Sequence, residues 1–341
     1  MITFCRRILM GSLSLWVCLA VGTRLEADAG AEKIDRLQRS IDGASELGNF
    51  SRVQTLRLEL AEYSRQINDF ATAARQYELL LASRPPRSDR VKYFIQLGNM
   101  RYALQDYSGA INSYQDALHD EPRSWEANLA LGRAYAQVEL DTNAIEVYQR
   151  CIVIRPKAHE SYEEIAAVYQ RQGYLNKAIS FYQKALKLEP RPESYLGMAD
   201  CYARQDDMAH AEAVLQQAKT LVPRSDYDVR LGDIFQKAGN LQRARLAWEE
   251  ALRSDPKRDD VRLKLVLLYD RLNRRSDADR LFKSLLDSYP QSPLVHFLRA
   301  WTFYSRGDRQ DSRKEALLTQ RLQPTELVQH YNELLLAQLR K

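Results

Sequence analysis

What the chain lacks narrows the field first. It holds four cysteines in 341 residues, and two of them, Cys5 and Cys18, fall near its start. The other two, Cys151 and Cys201, sit in stretches of sequence that are not neighbours, so geometry disfavours a disulfide and they read as small core fillers. The five histidines (His119, His159, His210, His296, His330) share no metal-ligand spacing, and neither late cysteine has a ligand-spaced partner, so no metal is expected. No G-x-x-x-x-G-K or G-x-G-x-x-G phosphate loop occurs, nor a G-x-S-x-G elbow. Paired acids such as Asp206-Asp207 and Asp259-Asp260 lie at turns or helix starts, where the helix dipole accounts for them. Neither catalysis nor a cofactor is expected. Charge of one sign is also missing: 50 basic and 45 acidic residues leave only +5. The two signs are interspersed, which argues against nucleic acid as a partner.

One apolar run stands out, Ile8 to Gly22, preceded by Arg6 and Arg7. At about 15 residues it is short of the roughly 20 that a bilayer-spanning helix needs. Ala27-Asp28-Ala29 offers an A-x-A cleavage site, so residues 1–29 are expected to be a bacterial-type secretory signal. An uncleaved anchor is the alternative, and lipidation of Cys18 a weaker one because Trp16-Val17 is a poor lipobox. Cleavage removes three arginines and two acids, leaving a net charge of +4. The chain is expected to be exported, to the periplasm or the outer face of an inner membrane.

What the sequence does hold is a period. Residues 159–190 read as two amphipathic helices with a turn at Gly173 and a stop at Pro190. Tyr162, Ile165, Ala166 and Tyr169 line the first. Ala178, Ile179, Tyr182, Ala185, Leu186 and Leu188 line the second. The second-helix alanine recurs as Ala110, Ala144, Ala178, Ala211, Ala244 and Ala278, in steps of 34, 34, 33, 33 and 34 residues. Closing prolines keep that beat from Pro122 to Pro324, as does a small residue in the first helix at Gly98, Gly132, Ala166, Ala199 and Gly232. One hairpin cannot bury its own apolar faces, so stacking along the chain is implied.

Leu131-Gly132, Tyr135, Ala144, Tyr148 and Pro156 resemble the tetratricopeptide repeat, as do Leu231-Gly232, Phe235, Gly239, Ala244, Trp248, Ala251 and Pro256. The resemblance covers roughly residues 54–326 and implies an all-α fold, an α-solenoid of about eight hairpins wound into a right-handed superhelix. Residues 30–53 would be an N-terminal helical extension, with a helix from Ala31 to Leu47. Residues 327–341 would be a C-terminal capping helix, with Leu327, Tyr331, Leu334, Leu335 and Leu339 on one side. Those leucines could alternatively join a second copy of the chain. Repeats two to seven are expected to begin at Val91, Trp125, His159, Pro192, Ser225 and Asp259, and the degenerate eighth at Pro293. Repeat one departs from the pattern at Ser64, and three extra residues, Ser88 to Arg90, follow it. Repeat two departs at Arg101, where a tyrosine is usual.

The resemblance also implies that first helices line a concave wall that holds partner segments. Two candidate series lie there. Arg171, Arg204, Lys237 and Arg271 share one place near the end of helix one; they are either a cationic rail for partner carboxylates or complements to the helix dipole. Leu294, Phe297, Trp301 and Tyr304 would form an apolar inner face of the eighth repeat that stacking does not need, and so a partner-binding surface. A carboxylate clamp of the chaperone-binding kind is not matched, because Ile95 precedes Asn99 where a basic residue would be needed. The expected function is a non-catalytic adaptor for one or more envelope proteins. The alternative is a periplasmic small-ligand-binding component of a transporter, with the ligand near Trp301. Peripheral or anchored membrane association fits the leader.

Overall fold

A computed structural model describes residues 23–340, with side chains from Ala31. Cys5, Cys18 and the apolar run of the leader lie outside the described residues, as do the side chains of Ala27-Asp28-Ala29. The described residues are all-α and form an α-solenoid of helical hairpins. They divide into two compact units between Val214 and Leu215.

The N-terminal unit contains α1 (Thr23–Glu46), α2 (Phe50–Gln66), α3 (Phe70–Ala82), α4 (Arg87–Ala103), α5 (Tyr107–Asp120), α6 (Trp125–Gln137), α7 (Asp141–Ile154), α8 (His159–Arg171), α9 (Leu175–Leu188) and α10 (Pro192–Arg204). Helix α11 (Met208–Ala218) spans the division. The C-terminal unit continues with α12 (Arg224–Lys237), α13 (Leu241–Ser254), α14 (Asp259–Arg271), α15 (Arg275–Ser288), α16 (Pro293–Ser305), α17 (Arg309–Arg321) and α18 (Glu326–Leu339).

Each hairpin turn uses the same device. The first helix ends at a residue with left-handed φ, such as Asn68, Gln105, Glu139, Gly173, Asp206, Gly239, Asn273 or Gly307. The residue after it starts the second helix, and in several turns its carboxylate or amide caps it. Asp69, Asp106, Asn240 and Asp308 accept from the amides of Thr72, Gly109, Arg243 and Asp311, groups that would otherwise have no partner at a helix start. Every second-helix alanine of the series is fully buried. Packing across the hairpin is close: Gly98 faces Tyr114, Gly132 faces Tyr148 and Gly232 faces Trp248, at distances where a Cβ would overlap the ring.

Several local expectations change. Helix α1 begins at Thr23, ahead of Ala31. The three residues Ser88 to Arg90 are not a loop; they extend α4, which starts at Arg87 rather than Val91. The added turn carries Arg90 to the end of α5, where its guanidinium donates to both oxygens of Asp120 at 2.5 and 2.6 Å. That contact holds the Asp120 carboxyl below its ordinary range. Arg101 does not disturb its repeat. It donates to Glu78 at 2.8 Å, Ser113 at 2.9 Å and the Gly109 carbonyl at 3.2 Å, joining α3, α4 and α5 where a ring would have filled space. In the eighth repeat the polar residues of the second helix find partners close by. Ser312 Oγ donates to the Ala300 carbonyl at 2.8 Å and Thr319 Oγ1 to that of Glu315 at 3.0 Å. Leu188, expected in the buried stripe, is the last residue of α9 and 40 % exposed. The buried face of α18 is Val328, Asn332 and Leu335, with Leu327 and Leu334 turned outward, so its apolar side is rotated from the expected one.

Candidate functional site

The four cations expected to form a rail start from the same helical position and end differently. Arg171 closes α8 and pairs with Asp141 at the start of α7, which Gln172 also reaches at 2.9 Å. Arg204 closes α10 and donates to the Gln170 carbonyl at 2.7 Å, in the last turn of α8. A guanidinium on a terminal helix carbonyl is what the dipole reading requires. For Arg171 and Arg204, both in the N-terminal unit, the open rail is therefore corrected: each is already engaged by the neighbouring repeat. In the C-terminal unit Lys237 is exposed and engaged within the chain. Arg271 is exposed and makes no side-chain hydrogen bond or ion pair among the described residues.

Other polar groups of the first helices also join successive repeats. Arg133 donates to Glu164 at 2.5 Å, Ser194 to Glu163 at 2.5 Å, and Gln170 to Asp200 at 2.6 Å. In the C-terminal unit Lys264 donates to both oxygens of Asp233, at 2.6 and 2.8 Å, and Arg306 to Asp270 at 2.8 Å. Each contact spans about one repeat, so these side chains set the register between neighbours. Asn99 accepts from the Tyr114 hydroxyl at 2.9 Å, and Ile95 before it is buried.

The apolar series is divided by burial. Phe297 is 2 % exposed and belongs to a core cluster with Val266, Phe282, Leu285, Val328 and Leu335. It is a packing residue and not a contact surface, which corrects the expectation for that position. The reason is local: α18 adds Val328 and Leu335 to the same cluster, so the eighth repeat has a further helix to pack against. Leu294, Trp301 and Tyr304 remain half-buried on α16, with Leu263 and Leu267 of α14 against the same core. The rings of Trp301 and Tyr304 lie 5.8 Å apart in a tilted contact. Sequence reasoning missed Leu267, although its spacing of four from Leu263 places it on the same helical face.

Open grooves of about 290 and 220 Å³ follow the seam of α17 and α18, lined by residues such as Gln320, Gln329, Asn332, Glu333 and Leu336. Trp301 lines neither. Among the described residues no cluster of His, Cys, Asp and Glu is placed to hold a metal ion. The Cys151 and Cys201 thiols are buried, and burial pushes each up to about 12, so both are protonated and inert near neutral pH. His296 is buried between Glu315, at 2.7 Å, and the Pro290 carbonyl, at 3.0 Å, a structural pairing that holds α16 to α17.

Three family models, each described as tetratricopeptide repeat, match residues 95–159, 159–192 and 235–302. No curated protein matches the chain. Among solved structures, a tetratricopeptide repeat protein from Parabacteroides merdae ATCC 43184 aligns with a TM-score of 0.50 at 17 % identity, over 70 % of this chain and 99 % of that one. A thermophilic TPR protein of Thermus thermophilus is 26 % identical over 52 % of this chain and 98 % of its own, with a TM-score of 0.43. MamA from Desulfovibrio magneticus RS-1 is 18 % identical over 49 % of this chain and 94 % of its own, with a TM-score of 0.45.

Proposed function

The chain belongs to the tetratricopeptide-repeat family, whose fold is generally a non-catalytic scaffold for protein–protein interaction, and on that premise we propose that it is an adaptor of the cell envelope. Its partner is a protein segment with apolar side chains, held by the strip of Leu263, Leu267, Leu294, Trp301 and Tyr304. The observation that carries this reading is that strip itself: large apolar side chains, two of them aromatic, stay half-buried on a packed core. Aromatic anchors of this kind, rigid and only partly desolvated in the free protein, supply most of the energy of a protein interface when a partner completes their burial. Arg271 on the same helix as Leu263 and Leu267 supplies a cation for a carboxylate on that segment. The envelope location rests on Arg6-Arg7, the apolar run and the A-x-A site.

The test is affinity capture from envelope extract with the immobilised chain, beside a Trp301→Ala/Tyr304→Ala variant. Phe297 stays unchanged, because removing it would damage the core. A protein retained by the first and lost from the second, at unchanged helicity, supports the adaptor. Retention by both moves the site away from α14 and α16. A small molecule that raises the melting temperature of the parent chain alone would replace the adaptor with a ligand-binding component.

A further inference from the structure

Earlier second helices carry at most an isolated exposed cation without a partner among the described residues, such as Arg75 on α3, Lys187 on α9 or Lys283 on α15, whereas α17 gathers four. On α7, Arg150 pairs with Glu146 at 2.6 Å. On α9, Lys177 lies over the rings of Tyr169 and Tyr174, and Lys184 over Phe181. On α13, Arg245 and Arg253 pair with Glu249 and Glu250. On α17, Arg309, Arg313, Lys314 and Arg321 are all exposed and make no side-chain hydrogen bond or ion pair among the described residues. Arg309, Arg313, Leu317 and Arg321 follow one another in steps of four along the outward face. Lys314 and Leu318 lie beside that line, and Ser312, Glu315, Ala316 and Thr319 form the buried side. Leu317 is 41 % and Leu318 36 % exposed.

The charge of the chain is distributed the same way. Residues 215–341 carry 24 basic and 17 acidic side chains, a net +7, while residues 31–214 carry 23 and 26, a net −3. The near-neutral total conceals a basic C-terminal unit.

We propose that the outward face of α17 docks the C-terminal unit onto an anionic lipid surface. The four cations meet headgroup phosphates and carboxylates, and Leu317 reaches between them into the interface, with Leu318 at its edge. The shape of the face selects this occupant over an acidic protein. At 100° per residue the cations fan over roughly 140° of a convex helix, a wider arc than the open groove of about 220 Å³ that Arg313 and Leu317 line beside α18. A folded acidic partner would need carboxylates fixed at matching points around that arc. Mobile headgroups rearrange to meet long, flexible side chains wherever they reach, and those side chains can keep their charges at the headgroup level while their stems lie on apolar surface.

The experiment is vesicle co-sedimentation of the full chain with phosphatidylcholine vesicles, neutral or containing about one third phosphatidylglycerol, at about 0.1 M and 0.5 M salt. Screening shortens the reach of surface charge across that range. The excess binding to anionic over neutral vesicles is the readout, because the apolar N-terminal run contributes to both. The excess is expected to fall at least tenfold in Arg309→Gln/Arg313→Gln/Lys314→Gln/Arg321→Gln, and to vanish for the parent chain at high salt. Helicity and melting temperature should match the parent, since all four side chains are exposed. Leu317→Ser should lower the excess partially. Equal binding to both vesicle types, or an excess that survives the fourfold change, overturns the proposal. So does binding of the full chain to fluorescent poly-glutamate, lost in the fourfold variant, with no preference for anionic vesicles, which would make the partner an acidic protein.

Discussion

A Cβ built on Gly132 would stand 2.4 Å from the Tyr148 ring, which is fully buried and donates its hydroxyl to Glu164 at 3.3 Å. The ring cannot retreat without giving up that contact, so Gly132→Ala is expected to destabilise by about 1–3 kcal/mol, the usual range for overpacking. Gly43 supplies the opposite case. Nothing lies within 4 Å of its missing Cβ, and it sits inside α1. Gly43→Ala should stabilise by about 0.5–1 kcal/mol through helix propensity alone. Paired urea melts would check both signs. Asp228 gives a pH-dependent case. It is buried with Oδ2 unbonded and its nearest cation, Arg224, at 3.8 Å, and burial raises its carboxyl above the ordinary value. The native state then binds a proton more readily than the unfolded chain, so stability falls as pH rises from the unfolded pKa through the raised one. Asp228→Asn should therefore stabilise the protein at pH 7, and the gain should shrink towards pH 4. A gain independent of pH would refute the assignment. The buried thiols make a simpler forecast: Ellman's reagent at pH 8 should not detect Cys151 or Cys201 until urea unfolds the chain.

At the scale of elements, the turn after each first helix is where local chemistry and repeat register divide the work. The Asp106 side chain accepts the Gly109 amide at 2.9 Å, and this bond is the first cause of its lowered carboxyl pKa. Asp106→Ala should cost about 1 kcal/mol, as loss of a helix N-cap usually does, and should lower the urea midpoint without changing the slope. Such turns were partly legible in advance. Gly173, Gly239 and Asn68-Asp69 announce themselves, because glycine and asparagine enter left-handed φ readily. Gln105 and Glu139 take the same conformation without any such marker. Their turns follow from the 34-residue spacing, which fixes where the chain must reverse. Helix pairing and the buried alanines were legible for that reason. The site was less so, because its outcome depends on contacts outside any single repeat. Position alone could not show that Arg171 would meet Asp141, that Arg204 would meet the Gln170 carbonyl, or that α18 would bring Val328 and Leu335 to the core of Phe297.

For the whole molecule, the repeat architecture sets how far a perturbation travels. Within each unit successive hairpins pack on one another, so stability there behaves as a sum of repeat terms and nearest-neighbour interfaces. Two compact units built this way need not unfold as one. The tryptophans separate them experimentally. With Trp16 and Trp125 replaced by phenylalanine, fluorescence comes from Trp248, fully buried against Gly232, and from half-buried Trp301, both in the C-terminal unit. Far-UV circular dichroism reports helices of both units. In urea the two signals are expected to give different midpoints. Adding Gly132→Ala to this background should then move the circular-dichroism transition and leave the fluorescence midpoint in place, because α6 lies in the N-terminal unit. If both signals shift together and stay coincident, the units unfold as a single cooperative block, and the interface terms outweigh the differences between repeats.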